Sequence, residues 1–133
     1  MMRDRKPNIL IIEKSEHCRN LYQAILSRHN LHVHLEENGK AALKLLQDGL
    51  TCSVIVTDYD LPDINGISLL DPIQKLSPDS AKILVSAMDE SEIKFSHKNI
   101  AADFQFSNKP LNVKELIGIV LNEVHRNPLP SLS

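Results

Sequence analysis

Three short runs in this chain, Asn8 to Ile12, Val54 to Val56 and Ile83 to Val85, are apolar at consecutive positions rather than at alternate ones. A strand with one wet face alternates apolar and polar residues, so runs of this kind read as strands covered on both faces. The segments between them have the opposite character. In Glu16 to His29, the residues Cys18, Leu21, Tyr22, Ile25 and Leu26 recur at helical spacing among polar neighbours. Doubly covered strands separated by amphipathic helices leave few options. Each parallel crossover must lay a helix over one face, so the pattern predicts an α/β fold with a parallel sheet between two helical layers.

The remaining segments fit the same alternation. Leu31 to Leu35 alternates as a strand, with Leu31, Val33 and Leu35 on one face and His32 and His34 on a solvated one. Asn38-Gly39 turns, and Ala41 to Gln47 is a short helix stopped near Gly49. Ile67 to Leu76 is a helix containing Pro72. Its missing N–H and ring clash predict a kink costing about 3 kcal/mol, or a break at which Asp71-Pro72 caps a restarted helix. Ser91 to Lys98 is a weak polar helix and Phe104 to Ser107 a last strand. Asn112-Val113-Lys114-Glu115 has the form of a capping box opening a final helix through Leu116, Ile117, Ile119, Val120 and Val124. Five strands and five helices make one domain over residues 8–126, with 1–7 as an N-terminal extension and 127–133, rich in Pro and Ser, as a tail or the start of a linker.

Composition narrows the function. A chain of 133 residues has room for one core, and a net charge of −2 offers no electrostatic ground for binding nucleic acid or an anionic membrane. No apolar run approaches the roughly 18 residues of a membrane span, and Met1 to Pro7 is charged with no signal-peptide core behind it. A cytoplasmic location is the expectation. Cys18 and Cys52 are too few for a disulfide framework or a four-ligand zinc site and are expected as buried small hydrophobes. None of the six histidines stands in a helical His-Glu zinc motif, and His32 and His34 read as surface residues rather than metal ligands.

In parallel α/β sheets, ligands gather at the carboxyl ends of the strands. The residues just past those ends are Glu13, Lys14, Asp58, Asp60, Ser86 and Lys109. An anionic nucleophile, a hydroxyl donor and an ammonium group around an acidic cleft are what phosphoryl transfer to a carboxylate requires. Singly, each has a plainer role: a turn-capping aspartate, a serine satisfied by backbone, a lysine opening a loop. Their conjunction carries the argument.

With these residues in this order, the chain resembles the receiver domains of two-component response regulators, from Asn8 to about Val124. The resemblance rests on Asp58 followed by Leu61-Pro62 and Gly66, on Val85-Ser86-Ala87, with Ser86 twenty-eight residues beyond Asp58, and on Phe106 three residues before Lys109-Pro110. It implies a flavodoxin-like three-layer sandwich, a five-stranded parallel sheet of order 2-1-3-4-5 with five helices. It also implies that Asp58 is the phosphoacceptor, attacking in line a phosphohistidine of a sensor histidine kinase or phosphotransfer protein, or a small phosphodonor. Ser86 and Ala87 would form the phosphoryl-binding and switch segment, with the Ser86 hydroxyl donating to a phosphoryl oxygen. Lys109 would pair with Asp58 and then with the phosphoryl group, its bond to Pro110 a candidate for the cis form. The rotamer of Phe106 would couple the pocket to the surface of the fourth helix, fifth strand and fifth helix. The resemblance further implies a Mg²⁺ ion held by Glu13, Asp58 and the backbone carbonyl of Asp60. The implied partner beyond the kinase is an effector protein or an output domain outside these residues, and the last helix is a candidate homodimer face. No enzymatic turnover is implied beyond self-phosphorylation and self-dephosphorylation at Asp58.

One position departs from the pattern. The first strand of the family is followed by two adjacent acids, the second a direct Mg²⁺ ligand, whereas here the pair reads Glu13-Lys14. Arg19 and the apolar helix positions behind it keep Lys14 in that register. The usual surplus of negative charge is then cancelled by Glu13, Asp58, Lys14 and Lys109 unless Asp60 turns inward, and Mg²⁺ loses an anionic ligand. Weak metal binding and weakened phosphorylation are the expectation, with Lys14 as a tethered cation beside Asp58. A pseudo-receiver that binds a partner without phosphoryl chemistry is the alternative, as is a Lys14 that swings into solvent. A phosphohydrolase of the haloacid-dehalogenase type is suggested by Asp58-Tyr59-Asp60, yet in that fold the aspartate pair follows the first strand. A flavin carrier is disfavoured because Glu13-Lys14-Ser15-Glu16 makes a poor phosphate loop.

Overall fold

The consecutive apolar runs become the middle of a five-stranded sheet. The computed structural model describes residues 6–100, 102–109 and 113–126. The elements follow in strict alternation: β1 (Asn8–Ile12), α1 (Glu16–Leu26), β2 (His32–Glu36), α2 (Gly39–Gln47), β3 (Val54–Asp58), α3 (Gly66–Leu76), β4 (Ala81–Ser86), α4 (Glu90–Ser96), β5 (Gln105–Asn108) and α5 (Val113–Arg126). The strands lie in the order β2-β1-β3-β4-β5, every neighbouring pair parallel. This is the doubly covered α/β sheet expected from the residues, in the flavodoxin-like order that the resemblance implied.

The absence of alternation in β1 and β3 now has its cause. Ile9 and Ile11 face a cluster with Tyr22 and Leu26 of α1 and Leu116 and Val120 of α5. Leu10 and Ile12 point the other way, onto Ala42 and Leu46 of α2 and Leu69 and Ile73 of α3. A third cluster, with Ile67, Leu70, Leu84 and Ile93, fills the space between α3, β4 and α4. Successive residues of one strand therefore bury on opposite sides of the sheet.

Several boundaries differ from the sequence expectation. The helix expected over Glu16 to His29 stops at Leu26, and Ser27–His29 tightens into a 3₁₀ turn closed by Asn30 in the left-handed region (φ 60°, ψ 45°). Asn accepts that conformation more readily than most residues, so the chain can turn there without glycine. No break occurs at Asp71-Pro72. Helix α3 runs uninterrupted from Gly66 to Leu76, because Leu69 and Leu70 before the proline and Ile73 after it are all buried and hold both halves on the sheet. Gly49, at φ 107°, ends α2, its N–H donating to Leu46 O at 3.1 Å. Cys52 is buried, which pushes its thiol pKa up to about 12, while Cys18 is half-buried. His32 is exposed at the edge strand, and His34 is half-buried with Nε2 3.0 Å from Asn8 Oδ1.

The Lys109–Pro110 bond, the Asn112 cap, the first five residues and the tail 127–133 lie outside the described residues. Among the described residues, no helix is long and apolar enough to cross a membrane.

Candidate functional site

The registers bring three strand ends to one rim. Ile12 is level with Thr57, Asp58 with Val85, and Ser86 with Asn108. The residue after β1, the last residue of β3 and the last residue of β4 therefore meet. Asp58 ends the most completely buried strand, and its own side chain is only 2% exposed.

An ionised carboxylate at such a depth needs a partner. Lys109 supplies it: its Nζ donates to Asp58 Oδ2 at 3.0 Å and lies 2.9 Å from Oδ1, with no donor aligned on that second oxygen. Lys109 is held in place because its backbone N–H donates to Ser86 O at 2.8 Å, and its side chain is 31% exposed on the pocket side. The Ser86 hydroxyl oxygen accepts from Met88 N at 3.0 Å, which leaves its own proton available for another acceptor.

The loop after β3 is pinned as tightly. Tyr59 N donates to Val85 O at 2.8 Å, and Gly66 N donates to Tyr59 O at 2.7 Å. A Cβ at Gly66 would stand 2.2 Å from the carbonyl oxygen of Asp58. Only glycine allows α3 to begin so close to the backbone of the buried aspartate.

On the β1 side, Glu13 is 4% exposed and its Oε2 accepts from Ser15 N at 2.9 Å. Burial raises the pKa of this carboxyl, the Ser15 bond opposes the rise, and the charge of Asp58 next door adds to it. The Glu13-Lys14 turn is braced from α1, since Arg19 Nη1 donates to Glu13 O at 2.8 Å and to Lys14 O at 2.9 Å. Ser15 caps the same helix, its hydroxyl accepting from Cys18 N.

Lys14 reaches across the rim to Asp60 rather than to Asp58. Its Nζ lies 2.5 Å from Asp60 Oδ2, with the two side chains 47% and 75% exposed. That bond holds the Asp60 carboxyl below its ordinary pKa and the Lys14 ammonium above its own. Three carboxylates thus stand against two ammonium groups.

A cavity of about 300 Å³ opens here, lined by Asp58, Tyr59, Asp60, Ser86, Ala87, Met88 and Lys109. Larger hollows of about 420 and 390 Å³ lie beside Lys82 and beneath α4, but neither contains a carboxylate backed by an ammonium at the end of a strand. The sequence-derived residues Glu13, Asp58, Asp60, Ser86, Ala87 and Lys109 therefore share one rim. Phe106 stands apart from the cavity wall: it is half-buried on β5, level with Leu84, and packs into the cluster beneath α4.

The rim's side chains alone make an incomplete magnesium shell, although Asp58 Oδ1 is left without a hydrogen-bond donor. Mg²⁺ asks for near-octahedral oxygen ligands with little distortion. Glu13 and Asp58 are the two buried carboxylates, Asp60 is engaged by Lys14, and Lys14 itself occupies the position of the missing acid. Among the described residues, no group of three His, Cys, Asp or Glu side chains is placed to hold a metal ion.

Two contacts were absent from the sequence reading. The Lys14–Asp60 pair could have been anticipated from opposite charges past adjacent strands, once β1 was known to neighbour β3. The hydroxyl of Tyr59, 3.3 Å from Nε2 of His97 at the end of α4, has no sequence signal at all.

A family model described as the response regulator receiver domain matches residues 9–121. The transcriptional regulator NtrC of Azospirillum brasilense is 27% identical over 125 residues, 92% of this chain and 25% of that protein. The two-component response regulator ARR10 of Arabidopsis thaliana is 28% identical over 125 residues, 91% of this chain and 22% of that protein. The chain thus spans about a quarter of the length of these relatives. A CheY-like receiver domain protein from Methanospirillum hungatei superposes with a TM-score of 0.81 over 92% of this chain and 97% of its own, at 23% identity.

Proposed function

Because the chain belongs to the response regulator receiver domain family of two-component systems, we propose that Asp58 accepts a phosphoryl group from a phosphohistidine and that the acylphosphate switches a protein-binding surface. The observation that carries this reading is the buried Asp58 carboxylate held 2.9–3.0 Å from the Lys109 ammonium at the floor of an open cavity. Asp58 is paired with an ammonium and screened from water, yet it lines a space large enough for a phosphoryl group.

The side chains divide the work. A carboxylate oxygen of Asp58 attacks phosphorus, the P–N bond to the donor imidazole breaks, and the departing nitrogen keeps the electron pair and takes up a proton. As negative charge moves from the carboxylate to the phosphoryl oxygens, the Lys109 ammonium follows it, and the Ser86 hydroxyl turns its proton onto one of them. Ala87 and Met88 follow Ser86, so a shift of the Ser86 segment alters the space above Phe106 and α4. The donor is a sensor histidine kinase or phosphotransfer protein, and the switched surface meets an effector or output domain.

The test is incubation with phosphoramidate followed by intact-mass analysis of the native chain and of Asp58→Asn. One phosphoryl increment on the native chain alone supports the reading; an equal increment on Asp58→Asn refutes it. The Lys14–Asp60 pair favours one second reading, a pseudo-receiver that engages its partner without phosphorylation. In that case partner binding is unchanged by Asp58→Asn and by the phosphodonor.

A further inference from the structure

With Lys14 where the family pattern has an acid, the rim carries three carboxylates against two ammonium groups, a net charge of only −1. Glu13 Oε2 accepts from Ser15 N, Asp58 is paired with Lys109, and the Asp60 carboxylate is closed on Lys14. A dication held by Glu13, Asp58 and the backbone carbonyl of Asp60 would lack the second acid of the family pattern and would share the rim with the Lys14 ammonium that stands in its place. Lys14 nevertheless belongs to the site. Its backbone is clamped by Arg19 at the end of β1, the strand adjacent to the one carrying Asp58, while its stem is half-exposed and ends in a salt bridge on the surface. A base so held, with a flexible four-carbon arm, can exchange one anion for another without moving the chain.

We propose that Lys14 takes the place of the divalent cation: this receiver does not bind Mg²⁺ at Asp58, and phosphoryl transfer to Asp58 proceeds without one. The inference rests on Asp58 being the phosphoacceptor. During transfer the P–N bond of a phosphohistidine or phosphoramidate breaks and an Asp58 O–P bond forms, with the proton going to the departing nitrogen. The Asp58 carboxylate becomes the acyl half of a mixed anhydride and loses its own charge, which is replaced by that of the phosphoryl oxygens. Two ammonium groups then face the dianion, Lys109 from the β5 side and Lys14 swung over from Asp60. Asp60 is the resting counter-ion, left in water when the arm moves.

Two measurements on the native protein, Lys14→Ala and Lys14→Asp decide it. The first is an amide-resolved NMR titration with Mg²⁺, which reads metal binding whether or not Asp58 reacts. The second is the rate of adduct formation with phosphoramidate in Mg²⁺ or in EDTA. The native protein should show no saturable shift at Glu13, Asp58 or Asp60, and its rates in Mg²⁺ and EDTA should agree within about twofold. Lys14→Ala should be slower in EDTA by about 10- to 100-fold, the loss of one charge-assisted contact to the transferring group. Lys14→Asp should acquire a saturable Mg²⁺ response and a rate that depends on it.

Saturable Mg²⁺ binding by the native protein, or an adduct that forms on it only with Mg²⁺, overturns the inference and leaves Asp58 as the acceptor. An adduct on Lys14→Asp alone also overturns it, since Lys14 then blocks transfer instead of serving it. No adduct on any of the three removes the phosphoacceptor reading itself.

Discussion

Gly66→Ala adds a single methyl group where the structure allows none. The new Cβ would lie 2.2 Å from the carbonyl oxygen of Asp58, 2.9 Å from its carbonyl carbon and 3.0 Å from Leu84 Cδ1. Two of these are backbone atoms of a buried strand, which cannot rotate away as a side-chain tip can. Forcing α3 back costs about 1–3 kcal/mol, as other overpacked sites do. It also stretches the 2.7 Å bond from Gly66 N to Tyr59 O, worth about 1 kcal/mol. Helix propensity works in the other direction, since Ala exceeds Gly by roughly 0.5–1 kcal/mol. The balance is a loss of about 1–3.5 kcal/mol. With a urea slope of about 2 kcal/mol per molar, the unfolding midpoint should fall by about 0.5–1.8 M. Equilibrium urea unfolding followed by circular dichroism measures it. An unchanged or raised midpoint would refute the reasoning, because it would mean that α3 has room beside Asp58.

Gly118→Ala is the matched control: it lies in α5 with nothing within 4 Å of the added Cβ, so it should stabilise by about 0.5–1 kcal/mol in the same assay. Arg19→Ala removes both clamps on the Glu13-Lys14 turn. Bonds from a charged donor contribute about 1.5–3 kcal/mol each at most, and a total loss of about 2 kcal/mol is expected, with faster amide exchange at Ser15. Lys82 is buried on β4, donating to Ser77 O and Ser80 O, and burial lowers its pKa. The unfolded chain therefore holds this proton more tightly than the folded one, and stability contributed here rises with pH from the lowered folded pKa to the unfolded value of about 10.4. The stability of the native protein relative to Lys82→Met should accordingly increase across that window, and urea melts on a pH series should show it; a difference independent of pH would contradict the burial of a charged Lys82.

Most of the architecture was legible, for a definite reason. Ile9 to Ile12 and Val54 to Val56 carry no alternation, and only a sheet covered on both sides buries successive residues of a strand. The order of the strands was less accessible, since periodicity says nothing of neighbours, and it came from the resemblance of Asp58, Ser86 and Lys109 to a known pattern. The early end of α1 was invisible because its last turn depends on Asn30 adopting a left-handed conformation, while the apolar spacing before it continues to look helical. At Pro72 local chemistry allowed either a kink or a capped restart, and the restart does not occur: α3 continues through the proline with Leu69, Leu70 and Ile73 buried. Within the site, residue types were readable but partners were not. Lys14 was recognised as the anomalous residue, yet its pairing with Asp60 depends on β1 lying against β3.

The position of β1 also bears on how the molecule assembles. It is the first strand in the chain, and it is flanked by the second and third strands, β2 and β3. As the chain leaves the ribosome, β1 can collect both neighbours before β4 exists, so the apolar centre forms early from comparatively near segments. β3 then presents an unpaired edge until Ala81–Ser86 arrives. That edge ends in Asp58, whose carboxylate has no Lys109 to face until β5 has docked. The nascent domain is therefore most prone to stick to other chains in the interval before β4 pairs, and the ion pair at Asp58 is completed only once β5 has docked.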